Sequence, residues 1–401
     1  MGKKHHLSRN VLCMVVISLI ANMSGSMILP LFAIYVEKYG ITAFSMSVLF
    51  ALFYVGRFLG GGITGKLYNK IGAKRIGIGL LCAEIVCMVS FPLATNFWVL
   101  AVLRLIQGLV AVGLSVFVRI TINNLSSNEN RGTLNGYMSS SEGAGMILGP
   151  VMSGIIVLYF SLSLPFYFVA FFAFISLIAV SKMIFPKESA NLQTDDQEGI
   201  ASPLRNLNRK LFLYSSVHFI EMSAYAIFLT YFSVYAKYKL GWDTFDISLA
   251  FAIVGISTFL SAPFIGKISD ILKDRLLLCI IGLFLIMVEI ILFLFFNEKW
   301  VVYLGMLIGG IGGASYLDSF FSHIGDVIPN AQRSIFMGNL ASLSELGAII
   351  SPLIAGILIE QINITAPFYY NIILVIIAML IQAVVRSKLK KKKNSEYTIG
   401  M

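Results

Sequence analysis

Charged residues set inside long apolar stretches are where chemistry could reside in this chain. Glu221 is one of them, in a stripe of Tyr214, His218, Glu221 and Tyr225 at the 4-3-4 spacing of one helix face. A charge in the bilayer interior costs roughly 2.5–3.5 kcal/mol on insertion scales unless it meets protein or water, so each is a functional candidate. A carboxylate that is neutral when desolvated and ionised when exposed can carry a proton. The alternative for Glu221 is a structural acid bonded to a neighbouring helix. Arg104 shares a face with Gln107, Gly108 and Ser115. Its guanidinium stays charged and favours ionisation of a nearby carboxylate, or else it ties helices together through backbone carbonyls.

Other charges are less specific. Arg57, with Tyr54 and Gly61 on its face, could hold an anionic substrate or a buried acid. Asp318, with Ser315 and Ser322, suits a gate. Glu142 and Glu345 stand in nearly corresponding places beside clustered glycines, where proton coupling and an interhelical hydrogen bond are both open. Glu84 and Glu289 read as structural acids. Ser18, Asn22, Gly25 and Ser26 form an uncharged polar stripe. His218 is the one histidine well inside an apolar run, and neither histidines nor cysteines show metal-ligand or disulfide spacing. No GxxxxGK[ST] loop is present to cradle phosphates, so ATP is excluded as the energy source. No hydrolytic triad appears either. The reading is a protein that is not an enzyme and needs no cofactor or metal.

Such residues must be held by membrane-crossing helices. Of 401 residues, 58% are hydrophobic and only 12% charged, more apolar than a soluble domain requires. Apolar runs of about 20 residues, read against turn signals, predict spans at 11–36, 44–64, 76–94, 97–119, 133–159, 163–185, 211–236, 246–265, 276–296, 299–320, 334–359 and 366–385. The fold class expected is an all-α polytopic membrane protein. Residues 1–185 form one six-helix bundle, 186–210 a hydrophilic linker, and 211–401 a second bundle with a basic tail. The first run is too long for a signal peptide and stays as a helix. The net charge of +10 is unevenly placed: only Lys38, Lys237, Lys239 and Lys299 fall in loops on one side. That bias predicts cytoplasmic termini and argues against nucleic acid. The tail Lys388 to Lys393 suits anionic lipid.

Glycines mark two spans in the same way. Gly136, Gly145, Gly149-Pro150 and Gly154 are repeated 202 positions later as Gly338, Gly347, Ser351-Pro352 and Gly356. Glycine lets helix backbones approach and Gly-Pro weakens a helix, so paired pivots are the natural use. Gly266-Lys-Ile-Ser-Asp270 echoes Gly65-Lys-Leu-Tyr-Asn69 in the same fashion. Repetition of this kind implies two bundles related by an axis along the membrane normal.

The pattern G-x8-G-x3-G-P-x2-(S)-G resembles the antiporter motif of the major facilitator superfamily, in the drug:proton antiporter branch. Ser153 replaces the first of the usual final glycine pair. The run from Gly65 through Gly72 to Arg75 is similar to the family's loop between helices 2 and 3, with Asn69 for the usual Asp and Ala73 for a usual basic residue. Arg104-Leu-Ile-Gln107-Gly108 resembles the fourth-helix motif. The resemblance implies a proton-coupled exporter working by alternating access, with helices 1, 4, 7 and 10 around its cavity. Substrate candidates are then Asn22, Ser26, Tyr54, Arg57, Arg104, Gln107, His218, Glu221, Tyr225 and Asp318. Proton coupling falls to Glu221 first and Glu142 second, with Arg104, Asp318 and Glu345. Gly65, Gly72 and Asp270 join Gly136, Gly145, Gly149, Pro150, Gly154, Gly347, Pro352 and Gly356 as pivots and gate, and Arg119 is expected to pair with Asp318. Expected partners are a small molecule, protons and the plasma-membrane bilayer, with the protein a monomer. Lipophilic drugs come first as substrates. A polar or anionic metabolite, such as a sugar or a siderophore-like chelator, is the alternative if Arg57 and Arg104 both face the cavity. An importer is the third reading.

Overall fold

In hydrocarbon every backbone N–H and C=O must be bonded internally, and uninterrupted helices meet that demand. The computed structural model describes residues 2–37, 39–125, 131–183, 209–272, 274–328 and 330–399. Among them are twelve helices: α1 (Gly2–Glu37), α2 (Ala43–Ile71), α3 (Ala73–Leu93), α4 (Phe97–Leu125), α5 (Arg131–Tyr159), α6 (Leu164–Lys182), α7 (Arg209–Tyr238), α8 (Thr244–Leu272), α9 (Arg275–Phe295), α10 (Lys299–Val327), α11 (Asn330–Gln361) and α12 (Ala366–Ile399). Each carries a segment long and apolar enough to cross a membrane. Apart from Arg209 and Lys210, which open α7, the linker expected at 186–210 lies outside the described residues.

Turn chemistry explains the tight connections. Gly72 alone separates α2 from α3, at a φ of 88° that a side chain would strain. Asn96 and Asn363 each use their Oδ1 to accept from backbone N–H groups that open the next helix, at 2.8 Å from Trp98 and 3.0 Å from Ala366. Exposed Trp98, Phe171, Phe264 and Leu380 are where lipid replaces protein packing.

The chain divides into two compact units. The first comprises Met1–Asp195, Leu229–Ala252 and Pro352–Gln361. In it α1 packs along α5, α2 along α4 and α3 along α6. The α2–α4 seam is so close that a Cβ on Gly108 would fall on the Phe53 carbonyl, and one on Gly56 on the Leu105 carbonyl. The second unit comprises Asp196–Phe228, Ile253–Ser351 and Ile362–Met401. There α9 lies between α10 and α12. Gly282 and Gly312 bring α9 and α10 together, with 2.6 Å from an added Gly282 Cβ to the Gly312 carbonyl oxygen.

Candidate functional site

Because α7 is continuous from Arg209 to Tyr238, His218 and Glu221 fall one turn apart on one face. The His218 Nδ1 stands 3.2 Å from the Glu221 Oε2, with both side chains under a tenth exposed. The two atoms are close but not aligned for a hydrogen bond. α10 supplies the walls. The imidazole centroid lies 5.2 Å from Phe320, 5.4 Å from Phe321 and 6.1 Å from Tyr316. One turn earlier, the Tyr214 hydroxyl and His323 Nε2 share a hydrogen bond of 2.9 Å. Tyr225, the fourth member of the expected stripe, is exposed. Asp318 is half-buried on α10.

Arg104 occupies a different environment, in the first unit. Its guanidinium carbon lies 3.3 Å from the Phe32 ring centroid, with Phe50 at 4.9 Å and Phe53 at 5.3 Å. Nη1 donates to Gln107 Oε1 at 2.8 Å. Arg104 is 4% exposed and Gln107 3% exposed, so both are sealed in helix packing. This removes the argument for an anionic substrate, which needed both guanidiniums in a cavity. Tyr54 is buried beside them and Arg57 is half-buried.

The polar stripe of α1 is largely committed to backbone. Asn22 donates to the Ser18 carbonyl at 2.9 Å, and Ser26 to the Gly145 carbonyl of α5 at 3.0 Å. Gly25 beside them faces open space. Gly145 and Gly149 let α5 lie against α1: a Cβ on Gly149 would come 2.6 Å from the Met23 carbonyl and collide with the Ser26 hydroxyl. Gly154, further along, packs on Ser248 of α8 at 2.8 Å. The repeat does the same work. Gly347 seats α11 on Phe219 and Ser223 of α7, and Gly356 packs on Ser47 of α2 at 2.6 Å. Within each motif, therefore, an early glycine serves the first helix of its own half-sequence, and the last glycine serves a helix of the other half. Pro150 and Pro352 lie inside α5 and α11. The surroundings of Gly136 lie outside the described residues, and Gly65 meets nothing within 4 Å.

One expected charge pair changes. The partner of Arg119 is Glu142, Nη2 to Oε2 at 3.3 Å within one bundle, in place of the expected Asp318. Glu345 is half-buried on α11. Ion pairs that the sequence reading missed lie at helix ends, where hydropathy carries no signal for them. Asp270 meets Arg275 at 3.4 Å, which bonds Asp326 at 2.7 Å. Asp274, between α8 and α9, takes Arg386 at 2.7 Å and Lys390 at 2.9 Å. The hydrogen bonds from Arg386 outweigh partial burial and, with Lys390, hold the Asp274 carboxyl down at about 2. Among the described residues no cluster of three or more His, Cys, Asp or Glu could hold a metal ion.

What these twelve helices belong to is decided by comparison with known sequences. The sequence model of the Major Facilitator Superfamily matches residues 14–338 and 216–398. The chain belongs to that superfamily. It is thus a multi-pass membrane transporter of small molecules and not an enzyme. Quinolone resistance protein NorA of Staphylococcus aureus (strain COL) is 28% identical over 377 residues, 91% of this chain and 94% of the relative. Tetracycline resistance protein, class H, of Pasteurella multocida is 22% identical over 361 residues, 87% and 88% of the two chains. In three dimensions the crystal structure of nucleoside transporter NupG superposes with a TM-score of 0.81 at 13% identity, covering 93% of this chain and 99% of that one, which speaks for the fold.

Proposed function

We propose that this facilitator is a proton-coupled exporter of lipophilic drugs, acting as a monomer in the plasma membrane with both termini in the cytoplasm. The observation that carries it is the His218–Glu221 pair, buried at 3.2 Å behind aromatic walls. An imidazole and a carboxyl together are neutral when they hold one proton, the state that a site of low dielectric favours. Entry of water or of a cation beside them changes that balance, so proton and substrate bind at each other's expense. Exclusive binding of two ligands is what couples an antiporter, since each shifts the conformational equilibrium by its differential affinity. The two relatives named for quinolone and tetracycline resistance support the exporter direction and the drug class. Aromatic surroundings of the dyad favour lipophilic cations; the anionic-metabolite reading has lost Arg104.

Inside-out vesicles with an imposed pH gradient test this. A quinolone, a tetracycline or tetraphenylphosphonium added to wild-type vesicles is expected to release protons from the lumen. Glu221→Gln is expected to abolish that flux with the protein still folded, and His218→Gln to reduce it. Undiminished coupling in Glu221→Gln would remove the dyad from the mechanism.

A further inference from the structure

Two buried carboxyls, on α3 and α9, take no part in the proposed cycle: Glu84 and Glu289. Glu84 of α3 is 6% exposed and its Oε2 has no hydrogen-bond partner. It borders a cavity that Ser24 of α1 and Ser176 of α6 share with Ile20, Leu81 and Leu114. Counted as room for the centre of a water molecule, the volume is about 10 Å³, near what one water needs.

The hydrogen bonds around this cavity have a direction. Ser24 donates its proton to the Ile20 carbonyl at 2.7 Å, and Ser176 donates to the Phe172 carbonyl at 3.0 Å. Both hydroxyl oxygens can therefore only accept. One water can donate to the two serines and accept from Glu84, which completes every bond if Glu84 carries its proton. An ionised Glu84 would compete with the serines for that water's protons, as a bare charge in a dry site. Among the described residues, no charged group from a facing element compensates it. Ser24 and Ser176 are the polar groups from α1 and α6. On the α4 side, the Arg104 guanidinium and Glu84 both act electrostatically on Cys87, the next turn of α3. The Cys87 thiol itself donates to the Leu103 carbonyl at 3.3 Å.

We propose that Glu84 is a second proton-binding site of this transporter, holding its proton against one internal water between α1 and α6 and releasing it when α1 moves. α1 is the helix seated on Gly145 and Gly149, so motion at that pivot displaces Ser24 from α3. The release step rests on the proton-coupled reading given above; the proton-binding site does not.

Infrared spectroscopy of the purified full-length protein at pH 7 tests the site. A component of the protonated, hydrogen-bonded carboxyl band is expected in the wild type, lost in Glu84→Gln and kept in both Glu289→Gln and Glu221→Gln. Should Glu84→Gln fail to fold, Ser24→Ala and Ser176→Ala each remove one acceptor, and either is expected to shift the band. A spectrum unchanged in all of these variants overturns the proposal. In proteoliposomes given tetraphenylphosphonium and a pH gradient, Glu84→Gln is expected to move fewer protons per cation; an unchanged ratio overturns the release step. If wild-type proteoliposomes move no protons at all, the exporter reading fails while the infrared result still decides the site.

Discussion

At the scale of single residues, Arg104 requires a guanidinium rather than merely a positive charge. Its plane spreads over Phe32 at 3.3 Å while Nη1 reaches Gln107, a combination that a lysine ammonium cannot make. Desolvated cation–π contacts are worth up to about 2 kcal/mol. Arg104→Lys is therefore expected to destabilise the purified protein by roughly 1–2 kcal/mol, with Phe32→Leu acting in the same direction. Thermal unfolding in detergent measures both, and a lysine variant as stable as the wild type would disprove the aromatic seat. Asp274 gives a second residue-scale test. Its carboxyl is held at about 2 in the folded protein by Arg386, then Lys390, against about 3.9 for an unfolded aspartate. The stability that it contributes is thus complete above about pH 4 and is lost as pH falls toward 2. Asp274→Asn is expected to unfold at a lower temperature at pH 7, with the gap closing at pH 2; a gap independent of pH would assign the effect to packing instead.

At the scale of elements, the glycine repeat predicts which helix contacts tolerate a methyl group. Gly149→Ala places a Cβ on the Ser26 hydroxyl and 2.6 Å from the Met23 carbonyl, and Gly347→Ala places one on the Phe219 carbonyl. Backbone cannot give way as a side-chain tip can, so each is expected to cost about 1–3 kcal/mol and to slow transport. Gly65→Ala, with nothing within 4 Å, is the matched control and is expected to fold as the wild type. Equal stability of all three variants would mean that α5 and α11 are not held by close packing. The helices were legible in the sequence because the bilayer fixes their length and excludes polar backbone. Their ends were less so: α2 continues to Ile71 and α10 to Val327, past the apolar runs that stop at 64 and 320. Polar sequence there carries no hydropathy signal, although it bonds as helix. The Tyr214–His218–Glu221 face was likewise readable from spacing alone. Phe320 and Phe321, which wall it, and Phe32, which caps Arg104, were not. Their neighbours come from other helices, and a one-dimensional period does not encode which helix lies alongside.

At the scale of the whole molecule, the first compact unit holds a prediction about alternating access. It includes residues from the end of α7, the start of α8 and the end of α11 together with α1 to α6. Three polar ties operate inside it. Lys237 Nζ meets Glu37 Oε2 at 2.8 Å, Glu360 Oε1 accepts from the Phe44 N–H of α2 at 2.9 Å, and the Tyr231 hydroxyl donates to the Ala43 carbonyl at 3.1 Å. All three join sequence separated by 188 to 316 positions, so local structure does not require them. A transporter that exposes its site alternately must part such ties in one of its states, and their strength then sets how often that state is visited. The Lys237–Glu37 pair is part-exposed, with side chains 38% and 25% accessible. Its loss is consequently worth only about 1 kcal/mol, or roughly fivefold in population. That size is measurable. Ser47 is fully buried against Gly356, so Ser47→Cys, with the four native cysteines replaced, reports opening through its rate of labelling by a membrane-impermeant maleimide. Glu37→Gln and Glu37→Lys are each expected to raise that rate, up to roughly fivefold. Pairing Glu37→Lys with Lys237→Glu is expected to restore it, because reversing both charges rebuilds the attraction. Restoration by the double variant separates an electrostatic latch from simple loosening of the helix ends; a double variant labelled as fast as the single ones would show that the pair holds nothing shut.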